Sequence, residues 1–265
     1  MNFFKTIFKH RKWIFTLGFN DFKNRFASTS LGTLWGFLNP FIFMGTYVVV
    51  FQFILRAGGP NDNTPYLVWF LPGIAIWLFL NDGILSASNS IRGYSYLVKK
   101  VVFPVDIIPL ISIVASSVSG MFITAVATIV CIVFGFVPNV LHLIYVLFAT
   151  YCFLMAITRF TSAVTTLVPD FGQLLSIVMQ LFFWFTPVIW NLGMLDGHNI
   201  LLNIMKCSPF AYLVTNMRDV FIVGDNLAFE KNGFFTIVFW VLTILIFVWG
   251  NYIFNRTKRD FADVL

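Results

Sequence analysis

IIPLISIVASSVSGMFITAVATIVCIVFGFVPNVLHLIYVLFATYCFLMAIT, residues 107–158, contains no Asp, Glu, Lys or Arg. A helix crosses the hydrocarbon of a bilayer in about 20 residues, so the stretch is long enough for two crossings. GFVPN at 135–139 supplies the Gly, Pro and Asn that end one helix and start another. Spans over 107–134 and 140–167 follow, joined by a tight turn. The rest of the chain has the same character: 59% of its 265 residues are hydrophobic and 11% charged, against roughly a quarter charged in a soluble domain. A polar-surfaced globule is excluded.

Working outward, further apolar runs give spans over 33–55, over 66–90 with the single acid Asp82, over 171–190 and over 233–254. The expectation is an all-α membrane protein with six transmembrane helices in one domain covering 1–265. Six crossings place both termini on one side, and the positive-inside rule decides which. Thirteen Lys and Arg fall on the side of the termini, and four (Arg56, Lys206, Arg218, Lys231) on the other. Both termini are therefore assigned to the cytoplasm. The net charge of +6 reads as topology rather than as a nucleic-acid footprint.

The N-terminal arm, residues 1–30, is basic and aromatic. Its apolar run Trp13–Phe19 is short and is followed by Asp21, Lys23 and Arg25, which argues against a cleaved signal peptide. Residues 1–26 read instead as an amphipathic helix in the membrane interface. Phe4, Ile7, Phe8, Ile14 and Phe15 recur at helical spacing, and Lys5, Lys9, Arg11 and Lys12 are available to lipid phosphates. Between the fifth and sixth spans, residues 191–232 are too long and too apolar for a plain hairpin loop. Ser208 and Pro209 open a helix carrying Phe210, Leu213, Val214, Met217 and Phe221 on one face. It pairs with a shorter helix near Ile200 to Met205, and together they are expected as short external re-entrant helices.

Catalytic chemistry is missing. His10, His142 and His198 are scattered, no Gly-rich loop ends in Lys-Ser or Lys-Thr to cradle phosphates, and Cys131, Cys152 and Cys207 have no metal-ligand spacing. The chain is expected to hold neither a metal nor a catalytic group, and Asp82 reads as a hydrogen-bonding acid between helices. Aromatic residues make up 19% of the chain. The first span presents Phe37, Phe41, Met44, Val48 and Phe51 on one side and Phe43 and Tyr47 on another. The fifth presents Gln180, Phe183, Trp184, Pro187 and Trp190. Aromatic faces stack on the apolar C–H face of a sugar ring.

The ordered set DFKNRFASTSLGTLWGFLNP (21–40), YLVWFLPGIAIWLF (66–79), YLVKKVVFPVDIIPL (96–110), VPDFGQLLSIVMQLFFWFTPVIW (168–190), SPFAYLVTNMRDVF (208–221) and NRTKRDFADVL (255–265) resembles the membrane subunit of ABC-type polysaccharide exporters, which carry O-antigen, capsule or teichoic acid. The resemblance covers nearly the whole chain and departs from many members at VPDF, which lacks a basic residue before the acid. It implies a homodimer of permeases with two ATPase subunits in the bacterial inner membrane, moving a glycan on a lipid carrier, most closely O-antigen. ATP and Mg would bind the partner ATPase. It further implies that residues 90–104 dock on that ATPase, through Arg92, Lys99, Lys100, Phe103 and Pro104. A tunnel lined by Phe41, Tyr47, Phe51, Gln180, Trp184 and Trp190 is the expected glycan path. The rival readings are export of a drug or small lipid, and a membrane transferase acting on lipid-linked sugars, for which no acid, His or metal cluster is evident.

Overall fold

Every element among the described residues is helical, as charge-free runs in hydrocarbon require: without water, each backbone N–H and C=O must be satisfied inside the protein. A computed structural model describes residues 3–56, 58–59, 64–100, 103–195, 197–222 and 228–265, and the side chains of Phe4, Lys100, 228–232 and Asp263 fall outside the description. In chain order the helices are α1 (Phe3–Asn24), α2 (Trp35–Val48), α3 (Tyr66–Gly93), α4 (Ser95–Lys100), α5 (Ile108–Val133), α6 (Val140–Leu167), α7 (Asp170–Phe185), α8 (Asn199–Cys207), α9 (Pro209–Ile222), α10 (Ala228–Thr257) and α11 (Phe261–Val264). A π-helical stretch, Val49–Ile54, prolongs α2.

Among the described residues, five segments are long and apolar enough to cross a membrane: Gly32–Ile54, Tyr66–Gly93, Val105–Val133, Val140–Leu167 and Gly233–Thr257. They match the expected spans 33–55, 66–90, 107–134, 140–167 and 233–254 closely. Of the expected span 171–190, only the part up to Phe185 is α-helical. α7 has 16 residues, about 24 Å at 1.5 Å per residue, short of the roughly 30 Å of hydrocarbon. It stops at Phe185 because Thr186 turns to extended backbone (φ −73°, ψ 139°), the conformation that a residue preceding proline prefers.

The non-helical continuation of α7 is held by one side chain. Arg218 of α9, 4% exposed, donates from Nη1 to the Pro187 carbonyl at 2.6 Å, from Nη2 to the Val188 carbonyl at 2.5 Å and from Nε to the Trp69 carbonyl at 3.0 Å. Its guanidinium also lies 3.7 Å from the centre of the Trp69 ring. Gly73 makes room for it, since a Cβ there would come within 2.7 Å of Nε. Residues 187–188 are thereby fixed level with the first turn of α3.

α3 is the centre of the bundle. It is apolar on all sides from Tyr66 to Leu80, and such a helix is buried on all sides; α5, α6, α7 and α9 pack around it. α8 and α9 form where the sequence places two short helices. α9 starts deep, with Phe210 against Trp77, Phe153 and Phe182. It ends at the α5–α6 turn, where the Asn139 N–H donates to the Val220 carbonyl at 2.9 Å. Trp77 lies eight residues beyond Trp69, about 12 Å along the axis, so α9 rises past α3 through roughly that depth.

At the opposite end, a second apolar cluster of Ile91, Ile108, Ala163, Phe254 and Phe261 tucks α11 under the bundle. Arg159 joins four elements there. It donates to Asp106 Oδ1 at 3.1 Å and to Asn251 Oδ1 at 2.8 Å, between the Phe3 and Phe254 rings. α1 lies against α5 through Gly18 on Val114 and carries a kink at His10.

Arg218→Met keeps the length of the stem and leaves three buried carbonyls without their donor, a loss of about 1–3 kcal/mol per group, offset in part by removing a buried charge. The expected net loss is about 2 kcal/mol, read as a lower unfolding temperature in detergent. An unchanged transition would reject this role for Arg218.

Candidate functional site

Between the end of α1, α2, the middle of α3, α5 and α7 lies a cavity of about 820 Å³. Phe26, Trp35, Phe43, Tyr47, Trp77, Phe183 and Trp184 are among its walls, with Asn39, Asn81, Ser176 and Gln180 spaced along them. The aromatic walls brace one another. Tyr47 lies parallel to Phe51 at 6.1 Å and edge-on to Phe183 at 5.4 Å, and Phe183 packs on Trp77 at 5.7 Å and on Trp184 at 5.6 Å. Scattered amide and hydroxyl groups can hold water or the hydroxyls of a ligand, while the rings offer faces for stacking.

One charged cluster stands at the edge of the cavity. Arg25, on the turn after α1, pairs with Asp82 of α3 at 3.4 Å and with Asp21 at 3.1 Å. It also donates to Ser116 Oγ and to the Ser112 carbonyl of α5, both at 3.3 Å. Asp82 accepts from Ser86 at 3.1 Å. Tyr94, just beyond α3, donates to Asp21 at 2.9 Å. Burial, and then the neighbouring Asp21 carboxylate, push the Tyr94 phenol above its ordinary value, so it stays a donor at neutral pH.

Of the expected tunnel residues, Tyr47, Gln180 and Trp184 come together on the cavity wall. Phe51 stands behind Tyr47 and stacks on Tyr66 at 6.3 Å. Trp190 lies farther out, beside Tyr66 and Trp69, with its indole N–H donating to the Trp184 carbonyl at 2.9 Å. Phe41 is 48% exposed and does not line the cavity, which α2 meets with Asn39, Pro40, Phe43 and Tyr47 instead. Arg25, Asn39 and Ser176 were missed. Arg25 carried a signal as a cation closing the amphipathic arm, but its partner lies 57 positions away.

In the expected docking segment, Arg92 and Lys99 are exposed, α4 occupies Ser95–Lys100, and Pro104 is half-buried. The Lys100 side chain lies outside the described residues. Phe103 is half-buried and stacks on Trp13 of α1 at 6.1 Å. In the arm, Lys5, Lys9, Arg11 and Lys12 are exposed, together with Phe8, Trp13, Phe15 and Phe19; Ile14 turns inward to the core instead.

A family model described as ABC-2 type transporter matches residues 13–222. An O-antigen export system permease protein RfbA of Klebsiella pneumoniae is 25% identical over 248 residues, 92% of this chain and 92% of that protein. One of the same description from Myxococcus xanthus is 23% identical over 219 residues, 82% of this chain and 83% of that protein.

Ser176 lines the cavity, whereas the exposed Phe41 on an apolar span is expected to meet lipid, so the two positions are separable by thiol labelling in a chain whose three cysteines are replaced. The thiolate reacts, and each unit by which an apolar setting raises a thiol costs about tenfold in thiolate. Ser176→Cys should label at least about tenfold faster than Phe41→Cys with a water-soluble maleimide. Equal rates would contradict the assignment of these two faces.

Proposed function

The chain belongs to the ABC-2 type transporter family, and from that premise we propose that it is the permease of an ATP-driven exporter of lipid-linked polysaccharide, with O-antigen as the substrate class. The observation that carries this reading is the aromatic-walled cavity of about 820 Å³ in a chain whose relatives are described as O-antigen export permeases. Two copies would set these cavities face to face and enclose a tunnel for the glycan.

In this reading ATP and Mg bind a separate pair of ATPase subunits, and the permease contributes no catalytic group. α4, with Arg92, Lys99 and Lys100 around it, is the docking element. Phe103 seats the segment on Trp13 of α1, so its share in docking is indirect. The charge bias supports termini in the cytoplasm. α7 with residues 186–190 serves as the fifth of six passes, supported by Trp190 lying beside Tyr66 and Trp69 at the start of α3. α8 and α9 are the re-entrant pair on the outer side, and the depth of Phe210 supports that placement. The cationic, aromatic face of α1 rests on lipid headgroups.

A sliding glycan is served by many weak contacts, each stacked ring being worth about 0.5–1.5 kcal/mol. In a strain lacking the gene, the wild-type chain should restore surface glycan and co-purify with an ATPase. Tyr47→Ala or Trp184→Ala alone should be mild, whereas replacing Phe43, Tyr47, Phe183 and Trp184 together should cut surface glycan per permease strongly. Normal export by the fourfold variant would move the glycan path elsewhere.

Liposomes holding the permease alone should hydrolyse ATP no faster than empty liposomes. Hydrolysis by a preparation free of any second subunit would sink the division of labour.

A further inference from the structure

Tyr94 and Asp82 lie on the same helix axis, twelve residues apart, about 18 Å at 1.5 Å per residue. Both are bound to one short stretch of the N-terminal arm. The Tyr94 hydroxyl donates to Asp21 Oδ1 at 2.9 Å. Asp21 Oδ2 holds Arg25 at 3.1 Å, and Arg25 Nη1 reaches Asp82 Oδ2 at 3.4 Å. Asp21 and Arg25 are one helical turn apart, about 6 Å. The remaining distance is covered by the reach of the long Tyr94 and Arg25 side chains, so the bridge has little slack.

Its two ends sit at different functional places. Tyr94 leaves helical geometry (φ −101°, ψ 25°) at the junction of α3 and α4, next to the segment assigned to the ATPase. Arg25 and Asp82 both line the cavity. We propose that Tyr94, Asp21, Arg25 and Asp82 are the coupling link of the transporter: a displacement of α4 pulls on Asp21, and Arg25 carries it to the cavity edge. This rests on the export reading above, and the four are positioning residues rather than groups that act on the glycan.

Holding α1 in place does not require this network. Gly18 already packs against Val114, and the Phe22 ring packs on Phe37 at 5.4 Å. The Arg25 and Asp82 side chains are 23% and 43% exposed, and ion pairs so open to solvent contribute little to stability. Their geometry, joining α1 to α3 and α5 across the edge of a cavity, suits a contact that is made and broken during transport. Ser112 and Ser116 on α5 offer Arg25 alternative acceptors at 3.3 Å, so the guanidinium retains partners when Asp82 is released.

The test uses the assembled permease–ATPase complex and measures surface glycan per cell, permease abundance and the ATP turnover of the purified complex. Asp21→Ala removes the acceptor shared by Tyr94 and Arg25. Coupling between sites typically spans about 5- to 150-fold, and a partly exposed network belongs at the low end. Export per ATP hydrolysed should therefore fall about fivefold while the complex still assembles and turns over ATP. Tyr94→Phe should act in the same direction. Because the residues act in series, the double variant should be no worse than Asp21→Ala alone. Wild-type export per ATP in both single variants, an additive double variant, or export that falls only as permease abundance falls would each overturn the link. No glycan export by the wild-type complex would overturn the export reading itself, and the link with it.

Discussion

The guanidinium of Arg218 answers the strictest demand that hydrocarbon makes of a polypeptide, that no backbone carbonyl be left without a donor. α7 stops after 16 residues, and the chain beyond it runs on without helical hydrogen bonds. Such a stretch survives away from water only if another element donates to it. Arg218 does so twice, and its third bond goes to the Trp69 carbonyl. One side chain thus fastens α9, α3 and the continuation of α7 at a single depth. Trp184 is set next to this point, with its own carbonyl taken by the Trp190 indole, so the outer end of the aromatic wall depends on the same bond set.

The other buried cation works by different means. Arg159 meets a carboxylate, an amide oxygen and two ring faces, and it joins α6, α10, α1 and the Asp106 turn. Arg159 itself is 1% exposed, and breaking its pair would leave an uncompensated buried charge. Arg159 therefore belongs to the fixed frame. Arg25 forms the contrasting case, with longer contacts, several acceptors and exposure to the cavity. The bundle thus has two closely bonded nodes near its ends and a looser one at the cavity edge, where the turn after α1 meets α3 and α5.

Charge-free runs and breakers are local, which is why 107–158 read correctly as two helices and why α6 begins at Val140 and ends at Leu167, as expected. Ser208-Pro209 located α9 for the same reason. The end of α7 was misread because hydropathy registers that a segment is apolar and not that its backbone is helical. Pro187 was the available signal. Phe41 was placed by periodicity on the first span, but aromatic and aliphatic residues lie on several sides of α2, so their periodicity could not say which side meets the cavity; Asn39 was the polar marker of that side. Asp82 was legible as a hydrogen-bonding acid, while its partner Arg25 was not, since nothing local pairs residues in separate segments. The stack of Phe103 on Trp13 was not legible for the same reason, Trp13 lying far back in the arm.

The composition of the cavity bears on how a long polar chain could pass through it. Rings supply weak, direction-tolerant attraction, and a wall made only of rings would leave hydroxyls unpaired at each step, at a cost of about 1–3 kcal/mol for each buried group. Asn39, Asn81, Ser176 and Gln180 interrupt the aromatic surface with groups that both donate and accept, so a hydroxyl in any orientation finds a partner. The one full charge pair is already satisfied: Asp82 is held by Arg25 and Ser86, and it therefore offers no strong unoccupied acceptor at which a sugar would lodge. Under the proposed export reading, a surface that attracts everywhere and grips nowhere would keep the free-energy profile along this cavity shallow, and the energy of ATP would then serve direction rather than release from a tight site.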